Sequence, residues 1–383
     1  MTLPDVRFEK PCDSVLTGGI WMKAIALCWS IFCFPLLALA QQKSWETQWE
    51  EILSGARKEG RVVVMGSADP VLRRELPAAF KARFGVSLDY LSGRGGDNFA
   101  RLSMERRGGV YTVDAVMAGM SNMFDYFNQR FLDPLLPALV LPEVLDASRW
   151  KTGRLWFMDP EGRYILRLYN YIFSGLIFFH TRYVKPEDFH SIKELLNPKW
   201  KGKISVMDPT VSGPGELEAA SFSVQLGEEF VKKLYVDQKP AISRDKRQIA
   251  DWLGRGSYPV SLSVPTEFAT QMKREGLPVD MVAPKDIPLT ITAGNGLVAL
   301  INQAPHPNAA RLLVNWIASK EGVELLGRAR QKPTARKDID ESYAVSWEVP
   351  QPGVRYFDTY DWEFTAMMRT KLTQQMRDLL RRR

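Results

Sequence analysis

The sequence predicts an α/β protein built from two lobes. In the first half, short runs rich in β-branched residues alternate with amphipathic helical segments, an order typical of a parallel sheet covered by helices. A second α/β series follows a long apolar and aromatic stretch at 164–179, which we interpret as an extended strand leaving the first lobe. The chain has 383 residues, more than the roughly 250–300 at which single hydrophobic cores stop growing.

The first 40 residues have the pattern of a signal region. Met22 and Lys23 precede an apolar run at 24–37 and the triplet Ala-Leu-Ala at 38–40, the order of a secretory signal peptide. We expect translation to begin at Met22 and cleavage to follow Ala40, because the apolar run is shorter than the ~20 residues of a membrane span. The three cysteines all lie in this region: Cys12, Cys28 and Cys33. The mature protein is therefore expected to be exported, soluble and free of disulfides.

The first lobe is predicted to begin with a helix at 45–58, whose apolar residues share one face and which Gly60 ends. Asp69 and Pro70 open the next helix, as cap and first-turn residue. The alternation continues with strands at 61–65, 86–91 and 113–117 and helices at 70–84, 99–107 and 122–129. This βαβαβ order predicts a mainly parallel sheet.

The second lobe repeats the alternation. Its predicted strands are 203–207 and 258–262, and its predicted helices are 215–226, 244–253 and 266–275. A strand at 299–301 and a helix at 308–318 then return to the first lobe. We therefore assign 42–185 with 288–335 to lobe 1 and 186–287 to lobe 2. Residues 336–383 form a C-terminal helical segment, amphipathic from residue 358 on.

Composition and charge narrow the range of functions that the protein could have. The formal net charge is +7 with both signs interspersed, which indicates a mild attraction to anions or to an anionic membrane face. Nucleic-acid binding needs a basic stripe with interleaved aromatic residues, and the sequence contains none. An enzyme is not expected either, because the chain after residue 40 has no cysteine nucleophile, Gly-x-Ser-x-Gly elbow or zinc motif.

Several segments resemble bacterial extracytoplasmic solute-binding proteins of the group that includes ferric-iron and 2-aminoethylphosphonate binders of ABC transporters. They are Lys-Glu-Gly-Arg-Val-Val-Val at 58–64, Pro-Lys-Trp-Lys-Gly-Lys-Ile at 198–204, Asp-Pro and Ser-Gly within 208–213, and Ala-Pro-His-Pro-Asn-Ala-Ala at 304–310. The resemblance implies a type II periplasmic-binding-protein fold, in which two lobes joined by crossing strands close on a solute. It also implies a permease partner in the membrane, and we expect the protein to be a monomer.

The ligand is expected in the loops after the strands, since open α/β sheets bind ligands beyond the carboxyl ends of their strands. Helix N-termini in these loops favour anions. The candidate binding residues are Ser67, Ala68, Ser92, Gly93, Arg94, Gly119, Ser121, Thr210, Ser212, Gly213, Thr266 and Glu267. Against an anion, Glu216 and Glu218 occupy a first helical turn, where their charge would repel it.

The ligand class is left between two alternatives. We expect a small anion of the phosphonate, sulfonate or carboxylate class, with no cofactor and no resident metal. The alternative is ferric iron, which the iron-binding members hold with adjacent tyrosines. The chain has no Tyr-Tyr pair, but Tyr169 and Tyr171 would share one face of a strand and could share a metal. A less favoured alternative is an exported enzyme on the same fold, and the sequence does not separate transport from sensing.

Overall fold

The computed structural model describes residues 43–211, 213–264 and 266–381. The predicted start at Met22 and cleavage after Ala40 fall outside these ranges and stay predictions. The strands are β1 Arg61–Ser67, β2 Ser87–Gly93, β3 Ala115–Ala118, β4 Leu132–Asp133, β5 Leu166–Arg167, β6 Tyr171–Ser174, β7 Ile177–His180, β8 Ile204–Met207, β9 Ala241–Ser243, β10 Val260–Ser261, β11 Val279–Val282, β12 Thr290–Thr292, β13 Leu297–Ile301 and β14 Phe357–Asp358.

Helices cover the sheets, which confirms the predicted α/β class. They are α1 Trp45–Glu59, α2 Pro70–Phe84, α3 Gly95–Arg107, α4 Met120–Asn128, α5 Pro142–Leu145, α6 Pro214–Leu226, α7 Glu228–Lys232, α8 Lys246–Gly254, α9 Thr266–Arg274, α10 Pro307–Ala318, α11 Lys320–Arg330, α12 Trp362–Met367 and α13 Thr373–Arg381. In the described part of the chain, no helix combines the length and the apolar character that a membrane crossing requires.

The first sheet has the strand order β2-β1-β3-β13-β4, with β5 paired to β13. Strand β1 is parallel to β2 and β3, and its residues Val62–Met65 are all buried, as expected of a strand covered on both faces. Strand β13 enters the centre of this sheet antiparallel to β3. The predicted return of the chain at 299–301 therefore supplies a central strand.

The second sheet has the order β11-β7-β10-β8-β9. Strand β8 is parallel to β9 and β10, whereas β7 is antiparallel to β10 and β11. Strand β7 lies inside the range 42–185 that we assigned to lobe 1, yet it pairs in this sheet. The chain therefore leaves the first sheet before residue 177. By this pairing, the predicted end of the first lobe 1 segment at residue 185 is too late.

The stretch 164–179 is not the single extended strand that we predicted. It contains β5, β6 and β7, which belong to three different sheets. Gly175 separates β6 from β7 at a φ of 92°, a left-handed conformation that side chains disfavour. Strand β6 pairs with β12, and β12 also pairs with β14, so a small third sheet joins the lobes. We call it the hinge sheet.

The C-terminal segment packs on both lobes. Helix α12 contacts α4 of the first lobe, where the Trp362 ring lies 4.9 Å from the rings of both Phe124 and Phe127. Beyond it, Met368 packs near Ala220 of α6, and Met376 joins the core of the second sheet. We call residues 362–381 the C-terminal strap.

Candidate functional site

A cleft of about 650 Å³ lies between the first and second sheets. One wall is formed by the residues that follow β1, β2 and β3, together with the starts of α3 and α4. The other wall is formed by the start of α6, by Lys246 of α8 and by residues 262–264 after β10. Residues of β6 and β12 from the hinge sheet line the cleft between these walls. Both lobes therefore contribute to one cavity.

The structure brings most of the predicted binding residues to this cleft: Ser67, Ala68, Gly93, Arg94, Gly119, Ser121 and Gly213. Two others do not line it. Ser92 is exposed, and the Thr210 hydroxyl donates to Asp208 Oδ1 at 2.6 Å. Ser212 lies outside the described residues. Thr266 and Glu267 form the first turn of α9, and their side chains are also outside the described part.

The turn between β2 and α3 is shorter than the interval between the predicted strand at 86–91 and the predicted helix at 99–107. Strand β2 ends at Gly93 and α3 begins at Gly95, which leaves Arg94 as the N-cap residue. Two asparagine side chains lie close to the glycines of this turn: a Cβ on Gly93 would lie 2.2 Å from Asn98 Oδ1, and a Cβ on Gly95 would lie 2.1 Å from Asn122 Oδ1. Asn98 and Asn122 line the cleft as a result.

Three helices begin at the cleft: α3, α4 and α6. Their N-cap residues, Arg94, Gly119 and Gly213, make no side-chain cap hydrogen bond. At the start of α4, the Tyr360 hydroxyl is a hydrogen-bond partner of the Met120 N–H. Helix α2 is different, because the Asp69 carboxylate accepts from Val71 N and Leu72 N. A helix N-terminus carries a partial positive charge of about half an elementary charge, so the cleft presents three such ends to whatever occupies it.

Basic side chains from both lobes add to this potential. Arg94 and Lys246 are exposed on opposite walls, and the described residues give neither side chain a hydrogen bond or an ion pair. Arg330 forms an ion pair with Asp69 at the cleft. Lys332 Nζ lies 2.5 Å from Glu348 Oε1 and 4.8 Å from the centre of the Tyr171 ring.

The expected repulsion by two glutamates is only partly correct. Glu216 does not line the cleft, and its Oε1 accepts from the Thr373 hydroxyl of the C-terminal strap at 2.6 Å. Glu218 does line the cleft, and its Oε2 accepts from the Ser263 hydroxyl at 2.6 Å. Burial raises the pKa of Glu218 to about 8, against the smaller opposing effect of the Ser263 hydrogen bond. At neutral pH this carboxyl is therefore mostly uncharged.

The two tyrosines considered for iron have separate surroundings. Tyr169 is buried outside the cleft lining, and its hydroxyl donates to Leu326 O at 3.0 Å, whereas Tyr171 lines the cleft. Burial raises the pKa of Tyr169, which disfavours the tyrosinate that ferric iron would need. Within the described chain, His, Cys, Asp and Glu form no group of three or more able to hold a metal ion.

Sequence reasoning missed several cleft residues. Asn98 and Asn122 follow β2 and β3, so the strand-end rule could have included them. Arg330 is the last residue of α11 and Lys332 follows that helix, so neither comes after a strand and only the folded structure brings them to the cleft. Ser263 follows β10 by two residues and could have been found by the same rule as Asn98.

Comparisons with known proteins agree with this architecture. A family model described as bacterial extracellular solute-binding protein matches residues 120–365. An uncharacterized protein of Haemophilus influenzae is 24% identical over 322 residues, which cover 74% of this chain and 84% of that protein.

Two solved structures show the same fold. The periplasmic binding protein AfuA from Actinobacillus pleuropneumoniae, with exogenous fructose-6-phosphate bound, has a TM-score of 0.65 and 21% identity, covering 84% of this chain and 99% of its own. Iron-bound HitA from Pseudomonas aeruginosa has a TM-score of 0.59 and 15% identity, covering 84% and 98%.

Proposed function

The chain belongs to the bacterial extracellular solute-binding proteins, and from this we propose that it is a periplasmic receptor that captures a small anion for an ABC importer. The predicted family and the two-lobed α/β fold are confirmed by the family match and by the solved neighbours. The family consists of binding proteins rather than enzymes, so we propose that the ligand is released unchanged. A membrane permease is the proposed partner, and a monomer the proposed state.

The observation that carries the anion proposal is that three helices begin at one cleft without a cap hydrogen bond from their own N-cap residues. Helices α3 and α4 approach it from the first lobe and α6 from the second. Their N–H groups, together with Arg94 and Lys246, form a donor set on two walls. Donors on two walls suit a tetrahedral oxyanion, such as a phosphate, phosphonate or sulfonate, better than a planar carboxylate.

The hinge sheet supports capture by closure. Because β6, β12 and β14 carry the chain between the lobes, a change of their dihedral angles would move one wall against the other. An anion that bridges Arg94 and Lys246 would stabilise the closed arrangement, since each cation would gain a partner that it lacks among the described residues.

The fold neighbours bind different solutes, so the ligand class has to be tested directly. AfuA holds fructose-6-phosphate and HitA holds iron. Purified protein is to be screened by thermal shift and calorimetry against inorganic phosphate, methylphosphonate, methanesulfonate, acetate and ferric citrate. We expect the phosphate and phosphonate to raise the melting temperature, because a ligand at 100 times its Kd adds about 2.7 kcal/mol to stability. Stabilisation by ferric citrate alone would show the iron alternative to be correct.

A matched pair of variants tests whether the anion binds in the cleft. Arg94→Ala removes the cation at the start of α3, and Arg107→Ala removes an exposed cation at the other end of the same helix. Loss of one charge-assisted hydrogen bond of ~1.5–3 kcal/mol predicts a roughly 10- to 100-fold weaker phosphate affinity for Arg94→Ala, with little change for Arg107→Ala. Equal affinities in both variants would contradict the proposed site.

A further inference from the structure

The second-lobe wall of the cleft contains a buried acid that the anion proposal does not use. Glu218 is the fifth residue of α6, is 2% exposed and still lines the cavity. The hydrogen bond from Ser263, at 2.6 Å, holds its Oε2 in place, and Ser263 lines the same cavity. A hydroxyl and a carboxyl are thus joined at the surface that a ligand would contact.

The neighbouring acid, Glu216, shows that a buried carboxyl at the start of α6 does not have to line the cavity. Glu216 is equally buried at 2% exposure, but its carboxyl is turned to Thr373 of the C-terminal strap. A buried acid with a structural partner is therefore already present two residues earlier in the same helix. Glu218 differs from it in facing the ligand cavity.

We propose that Glu218 and Ser263 form a polar subsite for a hydroxyl-bearing end of the ligand, whose anionic head lies at the N-termini of α3 and α4. This inference rests on the proposed function, and it narrows the ligand to hydroxylated organic phosphates or phosphonates. A second anionic group is disfavoured beside a carboxyl. An apolar end is disfavoured as well, because it would cover the polar pair without hydrogen bonding to it. A bare inorganic anion would leave the subsite unused.

The chemical groups around Glu218 fit this role. The hydroxyl of Ser263 is the partner that the structure gives its carboxyl. Tyr235, from the π-helical segment Lys233–Asp237 after α7, is close enough for a charge on Glu218 to raise the pKa of the tyrosine further. Burial holds the pKa of Glu218 near 8, so at neutral pH it offers both an O–H donor and a carbonyl acceptor to a ligand hydroxyl.

The experiment compares two ligands that differ only in hydroxyl groups. Calorimetry at pH 6.5 measures the Kd of glycerol 3-phosphate, of n-propyl phosphate and of inorganic phosphate. We expect glycerol 3-phosphate to bind the wild-type protein at least about tenfold tighter than n-propyl phosphate, because sites built for a hydroxyl discriminate strongly against its absence. Equal affinities for these two esters would overturn the inference.

Variants test whether the preference for glycerol 3-phosphate over n-propyl phosphate depends on Glu218. Glu218→Leu is expected to abolish the preference, whereas Glu216→Leu, a matched change two residues earlier in α6 and outside the cleft lining, is expected to keep it. A preference that survives Glu218→Leu would overturn the inference. If Glu218→Leu does not fold, Ser263→Ala replaces it, with a several-fold reduction of the preference expected and an unchanged preference contradicting the subsite. Failure of inorganic phosphate and of both esters to bind would instead refute the anion proposal itself.

Discussion

At the scale of single residues, the buried carboxyl of Glu218 links stability to pH. Its pKa is raised from the ordinary 4.5 to about 8 by desolvation, so between these values the folded protein retains a proton that the unfolded chain has lost. The contribution of Glu218 to stability is therefore fully present below about pH 4.5, and this contribution is lost as the pH rises through 8. The linkage slope is up to about 1.4 kcal/mol per pH unit.

Glu218→Gln, which resembles the protonated acid, should lack this slope. We expect the free energy of unfolding of the wild-type protein to fall relative to that of the variant by about 1 kcal/mol per pH unit between pH 5 and pH 8. Urea denaturation of both proteins at several pH values measures the difference. A constant difference across this range would mean that Glu218 is ionised in the folded protein.

Single residues also show where sequence reasoning succeeds and where it stops. Arg94, Gly119 and Gly213 were predicted because they follow strands, and the structure places them at the cleft. The two acids near the start of α6, Glu216 and Glu218, were noted from the sequence as well. The sequence did not indicate which carboxyl faces the cavity, because that depends on Thr373 and Ser263, which are distant in the chain.

At the scale of elements, two glycines in equivalent helix positions should differ in their tolerance of a side chain. A Cβ on Gly215, the second residue of α6, would lie 2.6 Å from Asp208 O and 2.7 Å from Met207 O, two backbone atoms at the end of β8. A Cβ on Gly96, the second residue of α3, would meet nothing within 4 Å. Helix α6 is thus pressed against the end of β8, whereas the start of α3 is open.

We expect Gly215→Ala to lower the free energy of unfolding by about 1–3 kcal/mol, as overpacking against backbone does. Gly96→Ala should leave stability unchanged or raise it by up to about 1 kcal/mol, because alanine is the better helix former. Urea denaturation of the two variants provides the comparison. Similar losses in both would show that α6 can shift away from β8 without strain.

Most elements could be predicted from periodicity and caps. Helix α2 begins at its Asp-Pro signal, and α1 ends before Gly60 as expected. The break of 164–179 into three strands could not be predicted from the sequence, because it depends on which sheet each short segment joins. Continuous apolar character looks the same in one long strand and in three short ones.

At the scale of the whole molecule, the lobes are joined more extensively than two crossings would provide. The hinge sheet takes strands from three distant parts of the chain, and the C-terminal strap packs on both lobes. The sequence predicted two lobes and a crossing near 164–179. It did not predict the third strand, β14, because a two-residue strand has no periodicity to detect.

Closure of the cleft should be measurable in solution. We expect saturating inorganic phosphate to lower the radius of gyration by small-angle scattering, by an amount on the order of 1 Å, as a hinge motion of two lobes would. The Arg94→Ala variant at the same phosphate concentration serves as the control and should change less. An unchanged radius in the saturated wild-type protein would indicate a rigid cleft.

The central position of β13 has a consequence for biosynthesis. A nascent chain that has emerged as far as β3 can pair that strand with β1, but nearly two hundred further residues must follow before its second partner, β13, exists. Until then β3 presents one unpaired edge, to which other chains can add. We therefore expect the amino-terminal half to depend on protection of this edge during synthesis.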